Sequence, residues 1–481
     1  MNIPSLSAFQ DFHNSYQQYV SLCLFVGLLF AVGFNRFHGR GLHLRFRLWH
    51  IILVALVVRL PLMFQNYWYD ETFTSTLVSA SWLDMFTAIS GDVHPPLYYA
   101  FVKAFTTVLG HSDFVMRLPA LLSGLHIVWG VYLLGKDHGG EQVGRWSALI
   151  VALLPAMSYY SSEARYPMFL GATLLFSYLS IREQQYKSAS FGLAIASWSH
   201  VNGWFYVGVM LVYLFWTSRK LWTVALPTFA IGVWLPFALN QSGDVIDGFW
   251  LQQSNPLRFL VDMSITTRFS DWSLNVVMLI VAVVMAILFI ALWRWRSQVN
   301  GWWLALVVIP PSLQWFVGLV WHPIYLERTM IFSMLLLVVP VAWYLSKQGS
   351  RIIVGLALIS ILSGLGSLYT GDRSNMDDVI TECEGRKVYA VNTYTAVHAS
   401  HYTDADVMVY EDSNSTAQQL PMEARKALWD VVALDELDND TCLLAQVDAY
   451  TKPEQLEHIQ YLSIAPMIIE INRHAYWVVG K

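Results

Sequence analysis

Apolar residues run along this chain in long blocks separated by short polar loops. About 20 mainly apolar residues carry a helix across a bilayer, fewer where the helix packs inside protein. By that measure the candidate spans are 19–35, 49–65, 118–135, 146–161, 167–181, 188–200, 203–217, 221–239, 274–293, 301–320, 329–346 and 352–369, about twelve helices. Several are short, as broken or tilted helices are. The first run follows no basic segment and precedes no small-residue cleavage pattern, so it is expected to remain a helix.

Lys and Arg in the short loops orient the bundle. Arg36, Arg40, Arg45 and Arg47 mark one face. Lys136 and Arg145, Arg182 and Lys187, Arg219 and Lys220, Arg294 and Arg296, and Lys347 and Arg351 mark later loops. All fall on one side, the cytoplasmic one, if 95–110 does not cross. That segment, "PPLYYAFVKAFTTVLG", is short, amphipathic and carries Lys103, so it reads as a helix on the outer surface. "TFTSTLVSASWLDMFTAIS" reads as a second. The outer face then holds the loops 66–117, 162–166, 240–273 and 321–328, and everything after 370. The expected organisation is an extra N-terminal helix with a basic loop (1–48), a transmembrane catalytic domain (49–369) and a small extracytoplasmic α/β domain (370–481).

In that last part the pattern changes. "RKVYAVN", "ADVMVYED", "TCLLAQVDAY" and "APMIIEIN" predict strands; "TAQQLPMEARKALW" and "KPEQLEHIQYL" predict helices. No Gly-rich phosphate loop and no metal-spaced His/Cys set accompanies them.

Composition agrees. The chain of 481 residues is 56% hydrophobic and 13% charged, against about 25% charged in soluble domains. No basic face suggests nucleic acid. From 370 onward 8 Lys and Arg stand against 19 Asp and Glu, net −11, leaving +6 for the rest of a chain whose net charge is −5. A basic membrane part and an acidic tail imply two compartments. Cys23 lies in an apolar run. Cys383 and Cys442 lie in the tail, either paired as a disulfide or as two thiols.

Four polar clusters fall on the outer face. Asp70 and Glu71 follow a span, among Tyr67, Trp68 and Tyr69. Asp70 could simply start a helix, or a carboxylate there could take the proton of an acceptor hydroxyl. In "GDVHPPLYY", two prolines explain a helix start but not His94, which faces Asp92 and could bind phosphate or orient a hydroxyl. "SSEARYPM" puts Glu163, Arg165 and Tyr166 in a very short turn, where the charges pair with each other or point inward. "WHPIYLERTMIF" puts Glu327 and Arg328 at the start of a span, where Arg is a snorkelling side chain or a clamp for phosphate oxygens. Together they supply a base, a phosphate clamp and hydroxyl binders.

"YDE", "GDVHPPLYY", "RLPALLSGL" and "SSEARYPM" in this order resemble the GT-C glycosyltransferases, in particular the bacterial protein-mannosyltransferase-like branch that includes aminoarabinose lipid A transferases. The resemblance covers roughly 50–350. It implies a sugar donor linked to polyprenyl phosphate, action outside the cytoplasmic (inner) membrane, usually with inversion, and a glycan, lipid or protein acceptor. It also implies Asp70 as base, Glu71 shaping the site, and His94 near the donor phosphate, where the aminoarabinose branch has Lys. The family's late Arg-Tyr motif appears as Arg328-Thr329. No cofactor is required by this chemistry, although Asp70, Glu71, Asp92 and Glu163 could hold a divalent metal, as some GT-C enzymes do.

Three rivals predict other features. A transporter or flippase of lipid-linked sugars needs charges near the bilayer midplane and pseudo-symmetric halves. A polymerase or ligase with a diphosphate-linked donor needs a large Arg-rich external loop, where 240–273 offers Arg258 and Arg268. A scaffold binding partners through its acidic tail would not need Asp70.

Overall fold

The computed structural model describes residues 43–92, 94–248, 255–262, 274–349 and 351–369, short stretches near 26–31, and in the tail 376–381, 383–385, 387–390, 398–403 and the strands below. Most of the expected first span, part of the loop 240–273 and the two expected tail helices lie outside these residues.

The helices follow the apolar blocks. They are α1 (Leu48–Arg59), α2 (Tyr69–Ser79), α3 (Trp82–Ser90), α4 (Leu97–Leu109), α5 (Asp113–Gly139), α6 (Glu141–Leu153), α7 (Pro155–Tyr160), α8 (Pro167–Arg182), α9 (Tyr186–Ser197), α10 (Gly203–Ser218), α11 (Trp222–Gly248), α12 (Arg258–Asp262), α13 (Leu274–Trp295), α14 (Gly301–Val320), α15 (Ile331–Lys347), α16 (Arg351–Tyr369) and α17 (Met376–Thr381). Among the described residues five helices are long and apolar enough to cross a membrane, or six if the bent pair 48–64 and 69–79 counts as one. The expected twelve are not reached by that test. The elements sit where the pattern put them, but several are 12 to 16 residues long, and the block 146–161 is broken at Pro155. Large apolar side chains such as Trp49, Phe229 and Phe316 stand exposed on the outside of the bundle, as side chains facing lipid do.

Two of the proline breaks are filled by side chains from other helices. Pro155 has no N–H for the Val151 carbonyl. Arg59, fully buried on α1, donates to Val151 O (3.1 Å) and Ala152 O (2.7 Å) instead. Pro310 likewise frees Leu306 O, which accepts from Ser333 Oγ at 3.0 Å. Without water, each such carbonyl needs an internal partner.

The loop 66–117 forms three short helices. An 82° bend separates α1 and its one-turn extension from α2, so α2 runs off the bundle end. Ser81 caps α3 by accepting from Asp84 N (3.1 Å). Lys103 is buried on α4 and donates to Val78 O (2.8 Å) and Ala80 O (2.5 Å), closing the C-terminus of α2.

The tail carries a six-stranded sheet of order β3-β2-β1-β4-β6-β5. Its strands are β1 (Lys387–Ala390), β2 (Val407–Tyr410), β3 (Val431–Val432), β4 (Thr441–Val447), β5 (Met467–Ile471) and β6 (His474–Val479). β1, β2, β3 and β4 pair in parallel; β6 lies antiparallel between β4 and β5. The four expected strands are all there, and β3 and β6 add to them. Met376, Cys383, Val388, Val407 and Leu444 pack in one apolar cluster with Phe73, Leu77, Met85 and Ile89 of α2 and α3. Cys383 is disulfide-bonded. Cys442 stands on β4 opposite Val388; its side chain lies outside what is described.

The turn 161–166 approaches α5 at Gly124, where a Cβ would collide with Ser161 Oγ and Cβ. Gly124→Val should therefore destabilise the fold by about 1–3 kcal/mol, read as a lower melting temperature in detergent, and should displace the turn.

Candidate active site

Asp70 stands in the first turn of α2, where the helix dipole favours an anion. Arg328, on the one-turn helix Glu327–Met330, donates Nη1 to Asp70 Oδ2 at 2.9 Å. Arg165 Nη2 lies 3.4 Å from the same oxygen. Arg165 is 3% exposed, and its Nη1 also reaches Asp70 O (3.3 Å), Tyr99 Oη (3.1 Å) and Thr74 Oγ1 (3.4 Å). Burial alone raises the Asp70 carboxyl, but the two guanidiniums outweigh it and hold Asp70 below the usual carboxylate value.

His94 joins this cluster from the start of α4. Its Nδ1 is 2.9 Å from Asp92 Oδ2 and its Nε2 3.5 Å from Arg165 Nη2. A guanidinium only donates, so Nε2 accepts there and Nδ1 carries the proton to buried Asp92. Tyr99 Oη donates to the same Asp92 oxygen at 3.4 Å. His200 packs on His94 with ring centroids 4.9 Å apart and stacks on Tyr166 at 3.9 Å.

These groups form the polar end of a cavity of about 680 Å³ lined by Asp70, Asp92, His94, Arg165, His200 and Arg328. The remainder is mainly apolar, with Val209 and Val212 of α10, Leu235 and Leu239 of α11, and Leu313 of α14. The cavity thus joins a charged site to the gap between three apolar helices.

Glu71, next to Asp70, points elsewhere. It is fully buried and paired with Arg117, Nε to Oε1 at 2.7 Å and Nη2 to Oε2 at 2.8 Å. Arg117 also donates to Met63 O (2.8 Å), Gln65 O (2.6 Å) and Asn66 O (3.3 Å). Glu71 Oε1 accepts from Ala164 N at 2.8 Å. The pair therefore ties α2, α5, the chain before α2 and the turn carrying Arg165.

Five residues expected from the sequence meet in the cavity wall: Asp70, Asp92, His94, Arg165 and Arg328. Glu71, Glu163, Tyr166 and Glu327 do not line it. Glu163 is buried in its turn, Tyr166 lies behind His200, and Glu327 pairs with Arg258 at 3.2 Å. The acidic set considered for a metal is not gathered: no group of three or more His, Cys, Asp or Glu able to hold an ion occurs among the described residues. Arg117, Tyr99 and His200 were missed. Arg117 carried a signal, being a lone cation opening the apolar block "RLPALLSGL". His200, a single His at the end of a span, carried none.

The tail contacts the chain just before Asp70. His398 Nε2 and Tyr402 Oη contact Tyr67 O at 3.2 and 2.8 Å, and the His401 ring stacks on Tyr67 at 4.6 Å.

The structure is similar to that of ArnT from Cupriavidus metallidurans in the apo state, with TM-score 0.55, 13% identity, and 89% of this chain and 97% of that one covered. The two chains share a fold. ArnT bound to undecaprenyl phosphate matches with TM-score 0.46, 14% identity and coverage of 89% and 97%. The Archaeoglobus fulgidus oligosaccharyltransferase in the apo form matches with TM-score 0.39, 9% identity and coverage of 74% and 63%. The shared fold rests on the first of the three. Residues 93–240, which include His94, Arg165 and His200, match the family described as dolichyl-phosphate-mannose-protein mannosyltransferase. No curated protein sequence matches significantly.

Removing one partner of a buried ion pair strands the other charge. Glu71→Gln or Arg117→Met should each destabilise by about 3–5 kcal/mol, seen as loss of folded protein in thermal melts. Asp70 has a second, milder signature. Its depressed carboxyl contributes stability present in full above pH about 4 and lost as the pH falls through the lower folded value. Asp70→Asn should flatten that acid dependence of the melting temperature.

Proposed function

We propose that this chain is a membrane glycosyltransferase that moves a sugar from a polyprenyl-phosphate donor to a hydroxyl of an envelope glycan, lipid or protein. The observation that carries the reading is the Asp70 carboxylate set against two guanidiniums at the polar end of a mainly apolar cavity. A lipid-linked phosphate needs that combination: cations at one end and an apolar channel for the chain. The family matched over 93–240 is itself described by a sugar on a polyprenyl-type phosphate.

In the reaction the acceptor oxygen bonds to the anomeric carbon as the bond from that carbon to the phosphate oxygen breaks. The electron pair leaves with the phosphate, and Asp70 takes the hydroxyl proton. Attack opposite the leaving group inverts the configuration. A carboxylate of pKa about 4 is a weak base, so holding the hydroxyl in line contributes much of the rate. Arg165 and Arg328 meet the charge that develops on the phosphate. His94, fixed by Asp92, hydrogen-bonds the donor. Glu71 acts at one remove, by fixing where Asp70 points. The guanidiniums supply positive charge, so the reaction needs no cofactor.

The site belongs on the outer face of the inner membrane. The basic loops mark the other side, and the acidic tail that touches Tyr67 carries a disulfide at Cys383, which fits an oxidising compartment. A Cys383–Cys442 bond would lie between the segment before β1 and β4.

The test compares envelope glycans and glycoproteins by mass spectrometry in cells with the intact gene, no gene, Asp70→Asn and Arg328→Gln. Asp70→Asn should lower transfer by about 10²–10⁴-fold and Arg328→Gln by about 10²–10³-fold, with both proteins still in the membrane. A normal sugar profile in Asp70→Asn cells, altered only without the gene, would reject the base and favour a transporter of lipid-linked sugars.

A further inference from the structure

Two cations converge on one oxygen of one carboxylate. Arg328 Nη1 is 2.9 Å and Arg165 Nη2 3.4 Å from Asp70 Oδ2. If Asp70 is the base, this arrangement sets a conflict. A carboxylate accepts a proton more readily without two guanidiniums beside it, and a phosphate in the same cavity needs those guanidiniums.

The conflict disappears if the cations change partner. We infer that Arg165 and Arg328 exchange anions during the reaction, holding Asp70 before the donor phosphate engages them and following the negative charge to the leaving phosphate. This rests on the glycosyl-transfer reading above.

Charge balance makes the exchange consistent. Before transfer Asp70 and the donor phosphodiester each carry one negative charge. The acceptor's proton then neutralises Asp70, while the electron pair of the broken carbon–oxygen bond gives the phosphate a second charge. Total charge is unchanged; one unit has moved from Asp70 to the phosphate. Cations that already face Asp70 need only shift across the cavity to follow it, which is preorganisation for the transition state rather than for either end state. Arg165 is built for such a shift, because Tyr99 Oη and the Asp70 carbonyl also hold it and remain in place when the carboxylate lets go. When Asp70 later gives its proton to water, its charge competes again for both guanidiniums and expels the product.

The outcome to measure is product binding. In Asp70→Asn the side chain has the size of the protonated base and no charge, so the guanidiniums stay free for phosphate. Full-length protein in nanodiscs would be titrated with a long-chain polyprenyl monophosphate, with the parent polyprenol as control. Asp70→Asn should bind the phosphate about tenfold more tightly than the native protein and the polyprenol equally. In an Arg328→Gln background the same substitution should give a much smaller gain. Unchanged or weaker phosphate binding by correctly folded Asp70→Asn, judged by its melting curve and confirmed with Asp70→Ser, would overturn the exchange. A native protein that shows no preference for the phosphate over the polyprenol would instead overturn the glycosyl-transfer reading itself.

Discussion

The Glu71–Arg117 ion pair is the constraint on which the site depends. Two opposite charges removed from water gain stability only when nearly every donor and acceptor is used. Here they are: Arg117 spends its donors on Glu71 and three backbone carbonyls, and Glu71 also receives Ala164 N. The pair therefore fixes, at one point, the segment before α2, the first turn of α2, α5 and the turn holding Arg165. Asp70 sits one residue from that point and Arg165 one residue beyond Ala164. Their mutual distance is set by atoms that take no part in the chemistry.

The bundle shows the same economy of partners. Prolines interrupt α14 and part α6 from α7, and the carbonyls that Pro155 and Pro310 free, Val151 O and Leu306 O, accept from Arg59 and Ser333 of other helices. An apolar surrounding enforces this, because an orphaned carbonyl there has no water to turn to. Breaks of this kind let short helices coexist with long ones.

Much of this was legible in the sequence and some was not. Block hydrophobicity placed nearly every described helix, and alternation in the tail placed β1, β2, β4 and β5. Lengths were harder, since an apolar block does not reveal where a proline or a bend will divide it. At the site, the residue types pointed to Asp70, His94, Arg165 and Arg328 because charged groups are scarce in apolar sequence. Direction was not legible. Asp70 and Glu71 are neighbours of the same type, and only the helix turn between them decides that one faces the cavity and the other faces Arg117. Glu327 and Arg328 divide the same way, one toward Arg258 and one toward Asp70.

The cavity's apolar flank between α10, α11 and α14 has a kinetic consequence. A lipid-linked donor of the kind proposed, entering there, arrives by lateral diffusion within the leaflet, not from bulk solution. Its effective concentration is a surface density, in molecules per area of membrane. Saturation of such an enzyme would be expressed as a mole fraction of lipid, and diluting the bilayer with inert lipid would slow turnover while diluting the surrounding water would not.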